Sequence, residues 1–326
     1  MGIANRFPWG SRRRASRGEA LPDRLFRGLV FGCALAVSAL LVVFVLVLFR
    51  QSWPTITAFG WGFLFSSSWN TGAVVGSGQS YGALPFVYGT LVTAAIAMLL
   101  GIPLSIGIAI FVSELAPPWV KTPLAVLVEL LAAVPSVVYG LWGFLILGPT
   151  MRTTIEPPLK AVLGWTPLFG GPIFGIDYLT AGVILAIMVI PTISAVTRES
   201  MSAVPEHQRE AALSLGATRW ETTRLGVLSY ARVGIFGAII LGLGRAVGET
   251  MAVTMTIGNS NTISGSLLAP GQTIASLIAN EFGEASGLQV SALLELGLVL
   301  LLIAIAINVV ARLLTRRIFQ TEATTL

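Results

Sequence analysis

Histidine and cysteine are nearly absent from this chain of 326 residues: His207 and Cys33 are the single examples of each. One cysteine cannot form an intrachain disulfide. One histidine cannot build a His-x-x-x-His zinc site or a Cys/His cluster. A Ser-His-Asp triad would have to use His207, which lies among charged neighbours in a polar stretch, the setting of a solvated histidine. Lysine is scarce too. Neither Lys121 nor Lys160 follows a glycine, so no Gly-x-x-x-x-Gly-Lys-Ser/Thr loop is present to hold ATP phosphates. The chain is expected not to be an enzyme on its own, with no metal and no cofactor of its own.

Charge is the other shortage. Charged residues make up 11% of the chain and hydrophobic residues 55%, a balance that describes an all-α polytopic membrane protein rather than a soluble domain. The net charge of +5 would suggest nucleic acid as a partner in a soluble chain. In a membrane chain it has a better explanation in orientation. No small-residue cleavage site follows the first apolar run, which is also too long for a signal peptide.

Six apolar runs are long enough to span a hydrocarbon core of ~30 Å: about 28–49, 86–112, 123–147, 178–197, 233–257 and 290–312. Residues 1–27 form a basic tail with seven arginines, read as solvated and cytoplasmic. Residues 313–326 form a second tail. The connectors 50–84, 148–177 and 258–289 read as loops, the first with Trp53, Trp61 and Trp69 placed for a headgroup layer. Pro135 interrupts the third run and is expected to kink it. Glu129, in the same run, reads either as a snorkelling or capping carboxylate or as a pathway group. Six spans put both termini on one side. Sixteen of the twenty lysines and arginines fall on that side and three on the other, which predicts cytoplasmic termini.

The twentieth is Arg245. It lies within Gly242-Leu-Gly-Arg-Ala-Val-Gly-Glu-Thr-Met-Ala-Val253, inside the fifth run. A charge at that depth costs at least ~2.5–3.5 kcal/mol on insertion scales, so it normally faces a protein interior or a water-filled path. A continuous helix would align Gly242, Arg245, Glu249, Ala252 and Thr256 on one small or polar face. One reading is a buried ion pair that fixes packing. The other is a substrate path of Arg245, Glu249 and Thr256, where Arg245 offers a forked cation to a passing anion and Glu249 is its resting counter-ion. Gly242, Gly244 and Gly248 are expected to let another helix approach closely.

Between the fourth and fifth runs, Glu206-His-Gln-Arg-Glu-Ala-Ala-Leu-Ser-Leu-Gly216 reads as a short amphipathic helix ending near Gly216. Its acidic residues argue against a lipid-bound helix and for a knob that docks on a soluble partner.

Glu210-Ala-Ala-x-x-x-Gly216 resembles the EAA motif of permease subunits in binding-protein-dependent ABC importers. The family's later isoleucine and Leu-Pro pair are replaced by Gly226 and Leu228-Ser229. Gly89-Thr-Leu-Val-Thr93, Leu131-Ala-Ala-Val-Pro-Ser136, Tyr139-Gly-Leu-Trp-Gly143 and residues 242–259 are similar to the signatures of the phosphate-permease family PstC. The resemblance spans roughly residues 85–312. It implies a type I ABC importer permease fold in the plasma (inner) membrane of a prokaryote. Glu210, Ala211, Ala212 and Gly216 would couple it to the ATPase. The implied partners are a homologous permease (PstA-like), an ATPase dimer (PstB-like) that uses ATP and Mg, and an extracytoplasmic phosphate-binding protein (PstS-like), with membrane lipid but no nucleic acid. A permease for another oxyanion, or an ATP-independent secondary transporter, is the alternative.

Overall fold

The computed structural model describes residues 20–72 and 78–323. Most of the basic tail lies outside the described residues, as do 324–326 at the other end.

Helix α1 runs Ala20–Phe59, ten residues past the expected end, with Pro54 inside it. The chain divides at Arg50 into two units. In the first, Leu29, Phe31, Leu40 and Phe44 are all exposed, as a helix solvated by lipid requires.

The second unit is built on α2 (Leu84–Ile110), α3 (Pro118–Ala133), α4 (Ser136–Leu163), α5 (Tyr178–Ser202) and α7 (Arg219–Gly248). Between α5 and α7 lies α6 (Glu206–Ser214). Two short helices, α8 (Met251–Thr256) and α9 (Ile274–Glu281), precede α10 (Leu288–Ala323). Five helices of the described residues are long and apolar enough to cross a membrane, and α3 with α4 makes a sixth if the bent pair is one span.

Helix α5 is the axis of this unit. Tyr178, Ala181 and Val189 are fully buried, in one core with Ala94 and Ala97 of α2 and Ala238 and Ala246 of α7. Lipid tails are as apolar as leucine, so such helices associate through close packing of small residues. Gly182 shows how close: a Cβ there would stand 2.5 Å from the Ile96 side chain. Asp177 caps the start of α5, its Oδ1 accepting from the Thr180 backbone N–H at 2.8 Å, and burial raises its carboxyl above the usual carboxylate range.

One expectation is met and three are corrected. The third run bends by 91° between α3 and α4. Pro135 carries the bend, and the Tyr139 hydroxyl bonds across it to the Leu131 carbonyl at 2.9 Å. Residues 148–163 continue as helix instead of loop. Pro157 and Pro158 open the last part, Glu156–Leu163, where a missing N–H costs nothing. The fifth run starts at Arg219 because Thr218 and Glu221 form a capping box, and it breaks after Gly248, with Glu249 extended at φ −71°, ψ 131°.

The third correction concerns the connectors. Trp69 is not a headgroup anchor: its indole N–H donates to Glu281 at 3.0 Å and its ring packs edge-on against Tyr81 and Phe86. The 258–289 stretch lies flush on the helices. Leu179 N–H donates to the Leu267 carbonyl at 2.9 Å and Ile274 N–H to the Thr90 hydroxyl at 3.1 Å. Gly89 permits this contact, since a Cβ there would meet the Gln272 carbonyl at 2.1 Å.

Gly182→Ala is therefore expected to destabilise the protein by ~1–3 kcal/mol through overpacking, read as a lower melting temperature in detergent. Gly107→Ala, where nothing lies within 4 Å, serves as the neutral control. Equal melting of the two variants would contradict the packing account.

Candidate functional site

Helices α7 and α10, with Thr192 of α5, line an open cavity of about 870 Å³. Along α7 its wall reads Val233, Gly237, Leu241, Gly244 and Arg245, a stripe at helical spacing that the two glycines hollow out. Asn308, Arg312 and Thr315 of α10 face it, and Thr192 of α5 completes the polar lining.

Arg245 is partly buried. Its Nε is enclosed without a hydrogen-bond partner, and Arg245 takes part in none of the ion pairs seen among the described residues. The expected pairing with Glu249 is not formed. The helix ends between the two residues, so they do not share the face of one helix; instead, a Glu249 carboxylate oxygen accepts from the Ala252 N–H at 3.4 Å, at the start of α8. A guanidinium with a buried, unsatisfied donor is a costly arrangement unless something else meets it. Tyr139 of α4 and Ala252 of α8 share one buried cluster, which brings the α3–α4 bend close to the α7–α8 break.

The other expected site residues fall into place as follows. Thr256 does not line the cavity. It is fully buried, its hydroxyl donates to the Ala252 carbonyl at 2.8 Å and its methyl group packs over Gly143. Gly242 does serve packing: a Cβ there would stand 2.5 Å from Ile193. At Gly244 and Gly248 no atom of the described residues lies within 4 Å of a Cβ. The close helix contact at the break belongs to Gly140, whose Cβ would reach the Met255 sulfur at 2.7 Å and the Ala252 Cα at 3.0 Å. Pro135 marks a bend and not a packing contact. Glu129 pairs with Arg198 on an exposed edge, away from the cavity lining. Among the described residues no cluster of three or more metal-ligating side chains occurs.

Helix α6 forms where expected. Glu210 and Ala211 are exposed, and Gly216 takes φ +85°, a left-handed conformation that favours glycine at a helix end. Leu215 is 89% exposed, with Leu213 and Trp220 also open, an apolar group suited to a partner surface.

Sequence reasoning missed what holds this helix. Arg209 donates to the Val204 carbonyl at 2.8 Å and the Met201 carbonyl at 3.0 Å, and pairs with Glu114 at 3.1 Å. Arg209 and Glu114 are 95 residues apart in sequence, so only its local partner Glu206, three residues back, was visible as a signal. The clamp ties α6 to the end of α5 and to the turn after α2.

This arrangement, a bundle of broken and unbroken membrane helices with a cation-lined cavity and a projecting helix, defines a membrane permease. The chain belongs to the family of binding-protein-dependent transport system inner membrane components, whose model matches residues 101–320. It is 44% identical over 313 residues to the phosphate transport system permease protein PstC of Mesorhizobium japonicum, covering 94% of each chain. It is 44% identical over 304 residues to PstC of Haemophilus influenzae, covering 92% of this chain and 95% of that one. A probable PstC from Methanocaldococcus jannaschii is 40% identical over 281 residues, covering 84% and 89%.

Among solved structures, a chain of a bacterial ABC transporter involved in alginate import matches with a TM-score of 0.57 at 16% identity, over 92% of this chain and 99% of that one. A chain of the inward-facing MetNI methionine transporter matches at 0.53 and 15%, over 71% and 94%. These likenesses show the type I ABC importer permease fold.

Arg209→Gln is expected to loosen α6 while leaving the core intact. Losing charge-assisted bonds worth ~1–3 kcal/mol speeds amide exchange across 206–216 by about five- to a hundredfold through local opening. Unchanged exchange there would contradict the clamp.

Proposed function

We propose that this chain is one of two membrane halves of an ATP-driven importer of inorganic phosphate, and that Arg245 contacts the anion in transit. The observation that carries the reading is the Arg245 guanidinium: it lines the cavity, and its Nε is buried with no hydrogen-bond partner among the described residues. The phosphate class is supported by relatives named as phosphate permeases at 44% identity.

Phosphate near neutral pH carries between one and two negative charges, and a guanidinium matches two of its oxygens at once. One arginine makes a weak, transient contact, which passage requires; tight capture is left to an extracytoplasmic binding protein of the PstS kind. Because Glu249 is engaged at the start of α8, its part is to hold the break open beside Arg245 rather than to neutralise it.

The excess of basic residues on one side supports cytoplasmic termini and puts α6 on the same side. There α6, through Glu210, Ala211, Ala212, Gly216 and the exposed Leu215, docks on an ATPase subunit of the PstB kind, one of a pair that binds ATP and Mg. A PstA-like permease supplies the other membrane half. Closure of the ATPase pair on ATP moves α6, and the Arg209 clamp passes the motion to α2 and α5, turning the cavity outward; hydrolysis resets it.

The test is uptake of labelled phosphate in cells whose importer contains this chain. Arg245→Gln is expected to abolish uptake with ATPase co-purification intact. Arg245→Lys is expected to lower it about tenfold, because a point charge replaces a forked donor. Normal uptake by Arg245→Gln would overturn the role of Arg245, and a native chain that carries sulfate or molybdate in place of phosphate would overturn the substrate.

A further inference from the structure

The cavity holds a second cation. Arg312 of α10 lines the same space as Arg245, with Asn308 one turn before it and Thr315 one turn after. Spacings of four and three put all three on one face of the helix. Asn308 and Thr315 fold back on their own helix, bonding the Ala304 and Ala311 carbonyls at 2.8 Å each. Arg312 is exposed and, among the described residues, joins no ion pair. The charge requirement for a cytoplasmic end accounts for arginine near the end of α10, yet Arg316 and Arg317 already meet it. That requirement does not put one of the three in the lining of the cavity that holds Arg245.

Along α7 the wall extends from Arg245 to Val233, twelve residues or roughly 18 Å at helical rise. In a six-span topology α7 and α10 run in opposite directions, so Arg312 and Thr315 lie toward the Val233 end, the end that leads to α6. The two cations are thus spaced along the cavity. Converging arginines would trap an oxyanion, whereas spaced ones hand it on.

We propose that Arg312 is a second, inner contact for the transported oxyanion, receiving it from Arg245 on the way to the α6 side. The proposal rests on the importer reading above. Arg312 acts there as a hydrated point charge, so lysine can replace it where lysine cannot replace Arg245.

The experiment uses the complete importer in proteoliposomes with labelled phosphate. Arg312→Gln lowers the transport rate about tenfold, the scale of electrostatic focusing in a charged cleft, while Arg312→Lys restores it. A second readout is independent of turnover. In a Cys33→Ser background, Thr315→Cys is modified by an anionic and a cationic methanethiosulfonate, and the anionic-to-cationic rate ratio falls about tenfold on adding Arg312→Gln. An unchanged ratio, or full transport by Arg312→Gln while Arg245→Gln is inactive, overturns the inner contact alone. Full transport by Arg245→Gln overturns the outer contact from which Arg312 is proposed to receive the anion, and absence of phosphate transport by the native importer overturns the importer reading beneath it.

Discussion

Backbone amides at membrane depth have no water to satisfy them, so a helix can break there only where protein or a wet cavity takes over the freed groups. That constraint organises this molecule. Its two breaks, at Val134–Pro135 and at Glu249–Thr250, close on each other: α8 packs across Gly140 and Gly143, Glu249 receives the Ala252 N–H, and the Tyr139 hydroxyl takes up the Leu131 carbonyl. Neither break stands alone. Each break is bonded within itself, and the packing of α8 on Gly140 and Gly143 gives both a shared surface.

The position of Arg245 follows from this arrangement. An intact helix would have set Glu249 one turn above it and the pair would have neutralised itself. Ending the helix at Gly248 turns Glu249 to a capping task and leaves the guanidinium facing a cavity hollowed by Gly237 and Gly244. Keeping an unpaired cation at such depth costs several kcal/mol, a cost that the close packing of α2, α5 and α7 offsets. The same rigid core connects the cavity to α6, because Arg209 holds that helix to the end of α5 and to Glu114.

Much of the fold was legible because a membrane writes its demand as length and apolarity: the runs at 86–112, 178–197 and 290–312 all fall on long helices. The end of α6 was legible in Gly216, and the bend in Pro135. The break at Glu249 was not. A face of Gly242, Arg245, Glu249, Ala252 and Thr256 satisfies a helical period, and periodicity has no term for a cap that ends one helix and starts another. The start of α7 was written in Thr218-Arg-Trp-Glu221, a capping-box pattern set in a polar stretch without an apolar period. Glu156 and Asp177, both fully buried, were hidden by Pro157 and Pro158, which read as loop although they suit a helix start. Arg312 ends an apolar run and carries no signal of its own there, since only three dimensions set it in the same cavity lining as Arg245.

The central claim is that Arg245 stands unpaired to meet an oxyanion. Its most direct test is the structure of the assembled importer, frozen during turnover with phosphate present. The account predicts anion density within hydrogen-bond reach of the Arg245 guanidinium and Glu249 still at the start of α8. A guanidinium closed on Glu249 in every state, with the anion passing elsewhere, would contradict it.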